Sequence, residues 1–172
     1  MPLFAHGEAS FSPFASAMNQ TANLNRTIVE MLYEEALLLA DEARNAFTEA
    51  AAARTNGPRD EDLERIALSC EALRTTTRMM HAIAWLLNQR AHFAGELSEF
   101  QLRRHGRLPQ NQPDSDAHQL ALLSPALREI VERTRRFHAR IARLDGAWRD
   151  HYAMHPAAIH RLRERVGAAM AG

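Results

Sequence analysis

The sequence predicts an all-α fold, an antiparallel three-helix bundle with a flexible N-terminal arm and C-terminal tail. Apolar residues recur at steps of three and four along three long segments. Glycine, proline and polar residues separate those segments. No run reads as a strand and no segment repeats. At 172 residues the chain suits one domain, 22–150, with a loop at about 104–123, between an arm at 1–21 and a tail at 151–172.

Residues 1–21 are rich in Ser, Ala, Phe and Asn without a helical period and read as a loose arm. Phe4, Phe11 and Phe14 are candidates to dock on a groove, or simply apolar residues in a tail. The first helix spans about 23–54. Ile28, Met31, Leu32, Ala36, Leu39, Ala43, Phe47 and Ala50 share one face, with Glu34, Glu35, Asp41, Glu42 and Glu49 on the others. Gly57 and Pro58 stop it.

The second helix starts at Asp60, where Asp60, Glu61 and Asp62 suit the positive end of the dipole. Running to Ala91, it would be about 48 Å long at 1.5 Å per residue. Leu63, Ile66, Ala67, Cys70, Leu73, Thr77, Met80, Ala84, Leu87 and Ala91 form its apolar stripe. From Met79 to Leu87 it is apolar almost all round, which requires surrounding protein or lipid. The run is too short to cross a bilayer, so a second chain is the expected cover, with Met79, Ile83, Leu86 and Leu87 as candidate dimer contacts. Two long helices joined by a short turn pack antiparallel. Gly95 weakens this helix, and 104–117 reads as a mobile, proline-broken linker.

The third helix starts at Ser124-Pro125, a serine cap followed by proline at the first helical position, and ends near Asp150. Leu127, Ile130, Val131, Thr134, Phe137, Ile141, Leu144 and Trp148 form its face. The tail carries a short amphipathic piece with Ile159, Leu162, Val166 and Met170, marginal as a helix alone.

Composition argues against several functions. The formal net charge is zero, so the whole chain is not a glove for nucleic acid. All 21 basic residues are arginine. The single Cys70 excludes an internal disulfide framework, fits a reducing compartment, and reads as a small core residue before a nucleophile. No secretory leader or transmembrane run is legible, so a cytoplasmic protein without membrane contact is expected.

Chemistry is scarce. His151 and His155 are four apart, but Pro156 disfavours helical geometry at His155. No Glu-x-x-His pair lies on the first two helices, and no cysteine set supports zinc. His81 reads as a core histidine before a ligand or base. The carboxylates of the first helix read as a solvated flank, with Asp41 and Arg44 a weak pair. No glycine-rich phosphate loop or nucleophile elbow occurs. The expectation is a protein that is not an enzyme and has no metal or cofactor.

Arg74 and Arg78 flank Thr75, Thr76 and Thr77, poor helix formers that suggest an interface or close local packing. Residues 21–101 carry a net charge of about −5 and 125–172 about +5. Arg128, Arg133, Arg135, Arg136, Arg140 and Arg143 of the third helix have two uses: pairing with the acidic first helix, or binding an acidic partner or, as the alternative function, nucleic acid.

Leu32-Tyr33-Glu34-Glu35-Ala36-Leu37-Leu38-Leu39-Ala40-Asp41-Glu42-Ala43-Arg44, with Phe47 after it, resembles the first helix of the RcdA family, the regulators of CtrA degradation of alphaproteobacteria. Residues 70–81 and 84–91, from Cys70-Glu71-Ala72-Leu73-Arg74 to Asn88-Gln89-Arg90-Ala91, resemble its second helix, and Gly95-Glu96-Leu97 fits the stretch after that helix. The resemblance covers 33–97; the third helix agrees by pattern alone. It implies a dimeric three-helix bundle without catalysis, an adaptor that helps deliver substrates, among them a cell-cycle transcription regulator, to the ClpXP protease through further adaptors. Tyr33, Arg74, Arg78, Arg90, His151, Tyr152, Arg161 and Arg165 are then candidates for partner contact.

Overall fold

A computed structural model describes residues 24–53, 61–109 and 114–153, and all five elements among them are helices: α1 (Arg26–Ala53), α2 (Glu61–Phe93), α3 (Glu99–His105), α4 (Ala117–Ala121) and α5 (Pro125–Ala153). The expected arm at 1–21, the turn glycine Gly57 and the amphipathic tail piece lie outside the described residues.

Each helix is built by local rules. Asn25 opens α1 by accepting from the Ile28 N–H at 2.9 Å. Gly95, at φ 80°, closes α2, and the Glu96 N–H reaches back to the Ala91 carbonyl at 2.9 Å. Ser98 and Gln101 form a reciprocal capping box on α3. The Ser124 hydroxyl accepts from the Leu127 N–H at 3.3 Å, as the serine–proline start predicts.

Cross-helix pairs fix the topology. Glu35 meets Arg140 and Glu42 meets Arg133, so α1 and α5 run antiparallel. Glu30 meets Arg90, while Phe47 packs with Ala67 and Leu68, so α1 and α2 run antiparallel. Arg78 meets Thr134 and Trp85 meets Asp145, so α5 runs parallel to α2. The antiparallel expectation holds for α1 against both neighbours and fails for α2 against α5. The reason is the connection, 94 to 124: Leu108 packs beside Trp85 and Leu86, whereas Leu123 packs beside Ala67 and Leu68, so α5 starts at the end of α2 where α2 itself begins.

That return segment corrects the expected mobile linker. Leu102 and Leu108 are buried, and Leu108 joins the cluster of Val29, Trp85, Leu86, Phe137 and Ile141. Leu123 joins a second cluster with Phe47, Ala67, Leu68, Leu127 and Val131. Polar, proline-broken composition conceals the anchors Leu108 and Leu123, which pack beside two well-separated parts of α2. The segment is a strap.

The core face of α2 also differs from expectation. Ala67, Leu68, Glu71, Thr75, Arg78, Met79, Ala82, Trp85, Leu86 and Gln89 face inward. The predicted stripe lies mostly outside, with Leu63, Ile66, Leu73, Met80 and Leu87 all exposed, and Cys70 is only half-buried. Both sides of α2 are apolar, so periodicity selected the cleaner line rather than the buried one. In α1, Val29 is buried where Ile28 was expected, and Met31 is 64% exposed.

Candidate functional site

The arginine pair of α2 sits under the strap. Glu71, Arg74 and Arg78 fall on one side of the helix because steps of three and four bring residues into line. The fully buried Glu71 carboxylate accepts from the Ser115 hydroxyl at 2.6 Å and faces Arg74 at 3.4 Å and Arg78 at 3.7 Å. Arg74 also donates to the Gln119 amide oxygen at 2.7 Å, and Arg78 donates to Thr134 Oγ1 at 2.9 Å. Burial lowers the Arg78 pKa from its ordinary value, opposed by the Glu71 charge. One carboxylate therefore ties the middle of α2 to the strap, while Arg78 ties it to α5.

Arg74 and Arg78, candidates for partner contact, are thus largely consumed inside the protomer, and Arg78 is only 5% exposed. Sequence reasoning missed Glu71, Ser115, Gln119 and Thr134. The available signal was Glu71 three and seven residues before two arginines, since a charged residue is almost never buried unless paired.

Tyr33 and Arg90 come together. Arg90 pairs with Glu30 at 2.9 Å, and its guanidinium lies 4.3 Å from the centroid of the Tyr33 ring. Both side chains remain partly accessible, at the end of the molecule where α1 begins and α2 ends. Of the remaining partner candidates, the side chains of His151 and Tyr152 and the whole of Arg161 and Arg165 lie outside the described residues.

The four candidate dimer contacts separate. Met79 and Leu86 are buried in the protomer core, because they point toward α1 and α5. Ile83 is partly buried against that core and lines a groove. Leu87 is exposed and lies on the outer line with Leu63, Ile66, Leu73 and Met80.

Two grooves flank α1. One, of about 550 Å³, lies between α1 and α2, with Ala43, Phe47, Thr75, Met79 and Ile83 in its walls. The buried Thr75 hydroxyl there has no hydrogen-bond partner among the described residues. The other, of about 900 Å³, lies between α1 and α5, with Met31 and Leu38 on its rim and the Glu35–Arg140 and Glu42–Arg133 pairs across it. The predicted charge pairing between the first and third helices thus takes two arginines of α5.

Among the described residues no group of three His, Cys, Asp or Glu side chains is placed to hold a metal ion, and no helix is long and apolar enough to cross a membrane. The geometry offers apolar surfaces and braced ion pairs, features that suit contact with other polypeptides. No curated protein and no solved structure matches the chain. Residues 20–170, which include every described helix, match a family described as a protein of unknown function, DUF1465, and the chain belongs to that family.

Proposed function

We propose that this protein is a non-enzymatic adaptor of the RcdA type, present in the cytoplasm as a homodimer, that brings protein substrates to the ClpXP protease. The observation that carries the reading is the outer face of α2, where Leu63, Ile66, Leu73, Met80 and Leu87 are 44–68% exposed on one line. A contiguous apolar surface of that kind marks protein contact. The resemblance of 33–97 to the RcdA helices supplies the class of partner. Adaptor action needs no bond chemistry; it raises the local concentration of substrate at the protease.

The α1–α2 groove and the Tyr33–Arg90 corner are the proposed partner-facing features, and the tail from His151 onward is a further candidate for partner contact. The alternative, a nucleic-acid-binding module on the arginines of α5, is less well supported because Arg133 and Arg140 are already paired with Glu42 and Glu35. The test is degradation of a cell-cycle transcription regulator by purified ClpXP with its co-adaptors, with and without this protein. Acceleration by the added protein is expected. An unchanged rate, together with retention of DNA in a gel shift that weakens steeply with salt, would overturn the reading in favour of the alternative.

A further inference from the structure

The outer face of α2 has a stricter pattern than a merely apolar surface. Leu63, Cys70, Thr77, Ala84 and Ala91 recur every seven residues, and so do Ile66, Leu73, Met80 and Leu87. The two sets interleave at alternating steps of three and four, which is the a/d pattern of a coiled-coil seam. The seam lies opposite the buried face that carries Glu71, Arg78, Trp85 and Gln89. It runs about 42 Å at 1.5 Å per residue. Four heptads of this pattern on a free surface fit another helix with the same pattern.

We infer that the occupant is α2 of a second copy of this chain, and that the two α2 helices run antiparallel. The inference rests on the self-pairing proposed above and adds the face and its direction. Two features choose the direction. The first is size. After Leu63, the a positions are small (Cys70, Thr77, Ala84, Ala91), whereas every d position is large. A parallel pair sets a against a and d against d, alternating layers of small residues with layers of large ones. An antiparallel pair sets a against d, so each large side chain meets a small one and the seam fills evenly. The second is charge. The start of α2 is net acidic, with Asp62 and Glu64 against Arg65, which pairs with Asp62, and its end carries His92 and Arg90, the latter paired with Glu30. Antiparallel pairing brings the acidic start of one helix beside the basic end of the other, whereas parallel pairing stacks like on like. Arg74, which flanks the middle of the seam, is turned back onto Glu71 and Gln119, so its charge is compensated within its own protomer.

The orientation has a consequence for the α1–α2 groove, whose wall includes Thr76, Met80 and Ile83. These residues border the seam on the side facing α1. In an antiparallel pair the same border of both helices falls on one side, so the two grooves open together across the two-fold axis. In a parallel pair they would face opposite ways.

Cys70 makes the test direct. Light scattering on the full chain reads whether it pairs, and Leu73→Glu, at a 68% exposed position, is expected to turn the pair into single subunits with unchanged helicity. Mild oxidation and a short bismaleimide then read the direction. Wild-type Cys70 is expected to stay unlinked. Met80→Cys or Leu87→Cys is expected to yield a covalent pair joined through Cys70, and that link disappears when Cys70→Ser is added. Within one helix Cys70 and residue 80 are about 15 Å apart, too far to bridge, so the link is between chains. A link through Cys70 alone in the wild type, or one from Met80→Cys that survives Cys70→Ser, shows a parallel pair and overturns the inference. Single subunits at every concentration overturn self-pairing itself. A pair that Leu73→Glu leaves intact places the interface elsewhere.

Discussion

Trp85 donates its indole N–H to the Asp145 carboxylate at 3.0 Å, joining α2 to α5 between two side chains that are each at most 2% exposed. The second carboxylate oxygen faces Arg149 at 3.3 Å, so the buried charge is compensated from the half-exposed side. The pair fixes how far along α2 the parallel α5 sits.

Asp145→Ala is expected to destabilise the fold by about 1–3 kcal/mol, because it leaves the buried indole donor unpaired. Asp145→Asn keeps an acceptor for Trp85 and loses only the ionic part, so its loss should be smaller. Urea unfolding of the two variants checks the order. Equal losses would mean that the Arg149 pair, not the indole bond, carries the effect.

Glu71→Ala is expected to cost about 3–5 kcal/mol, since it strands the buried Arg78 guanidinium. Adding Arg78→Met should recover part of that loss. Hydrogen exchange over 106–124 should rise in the single variant, because Ser115 loses the acceptor that binds the strap to α2. A double-mutant cycle with no coupling would remove Glu71 as the partner of Arg78.

The His138 imidazole is held below its ordinary value of 6.5 by burial, then by the Arg78 charge and by His81. A histidine whose pKa is lowered on folding favours the neutral folded form, so the unfolded chain binds more protons. Its contribution is present above pH 6.5 and is lost as the pH falls below that value. Melting temperature is expected to drop between pH 7 and pH 5, and less steeply in His138→Gln. An identical slope in that variant would assign the drop to other groups.

Gly106→Ala is expected to loosen the strap. A Cβ there would stand 2.5 Å from Leu102 Cδ1 and 2.7 Å from the Leu102 carbonyl oxygen. Because the backbone oxygen cannot retreat as a side chain can, the cost should be about 1–3 kcal/mol, the range for overpacking. Chemical denaturation measures it, and a neutral result would show that the α3 end relaxes freely.

The long helices were legible because each has an apolar line at helical spacing, buried or exposed, and a recognisable boundary, as at Ser124-Pro125. The inward face of α2 was not, because Glu71, Thr75, Arg78 and Gln89 interrupt its apolar residues, while the outer line from Leu63 to Leu87 is nearly unbroken. The pairing of α1 with α5 followed from charge balance. The strap was hidden because its contacts come from isolated residues, Leu102, Leu108, Ser115 and Leu123, and isolated residues make no period. Arg74 and Arg78 looked available because their compensation depends on Ser115, Gln119 and Thr134, which only the fold brings near.

The parallel course of α5 beside α2 decides where the polypeptide enters and leaves the bundle. Had the third long helix alternated in direction, positions 24 and 153 would occupy opposite poles. Instead both share the pole marked by Tyr33 and Arg90, so the described chain is entered and left at a single address.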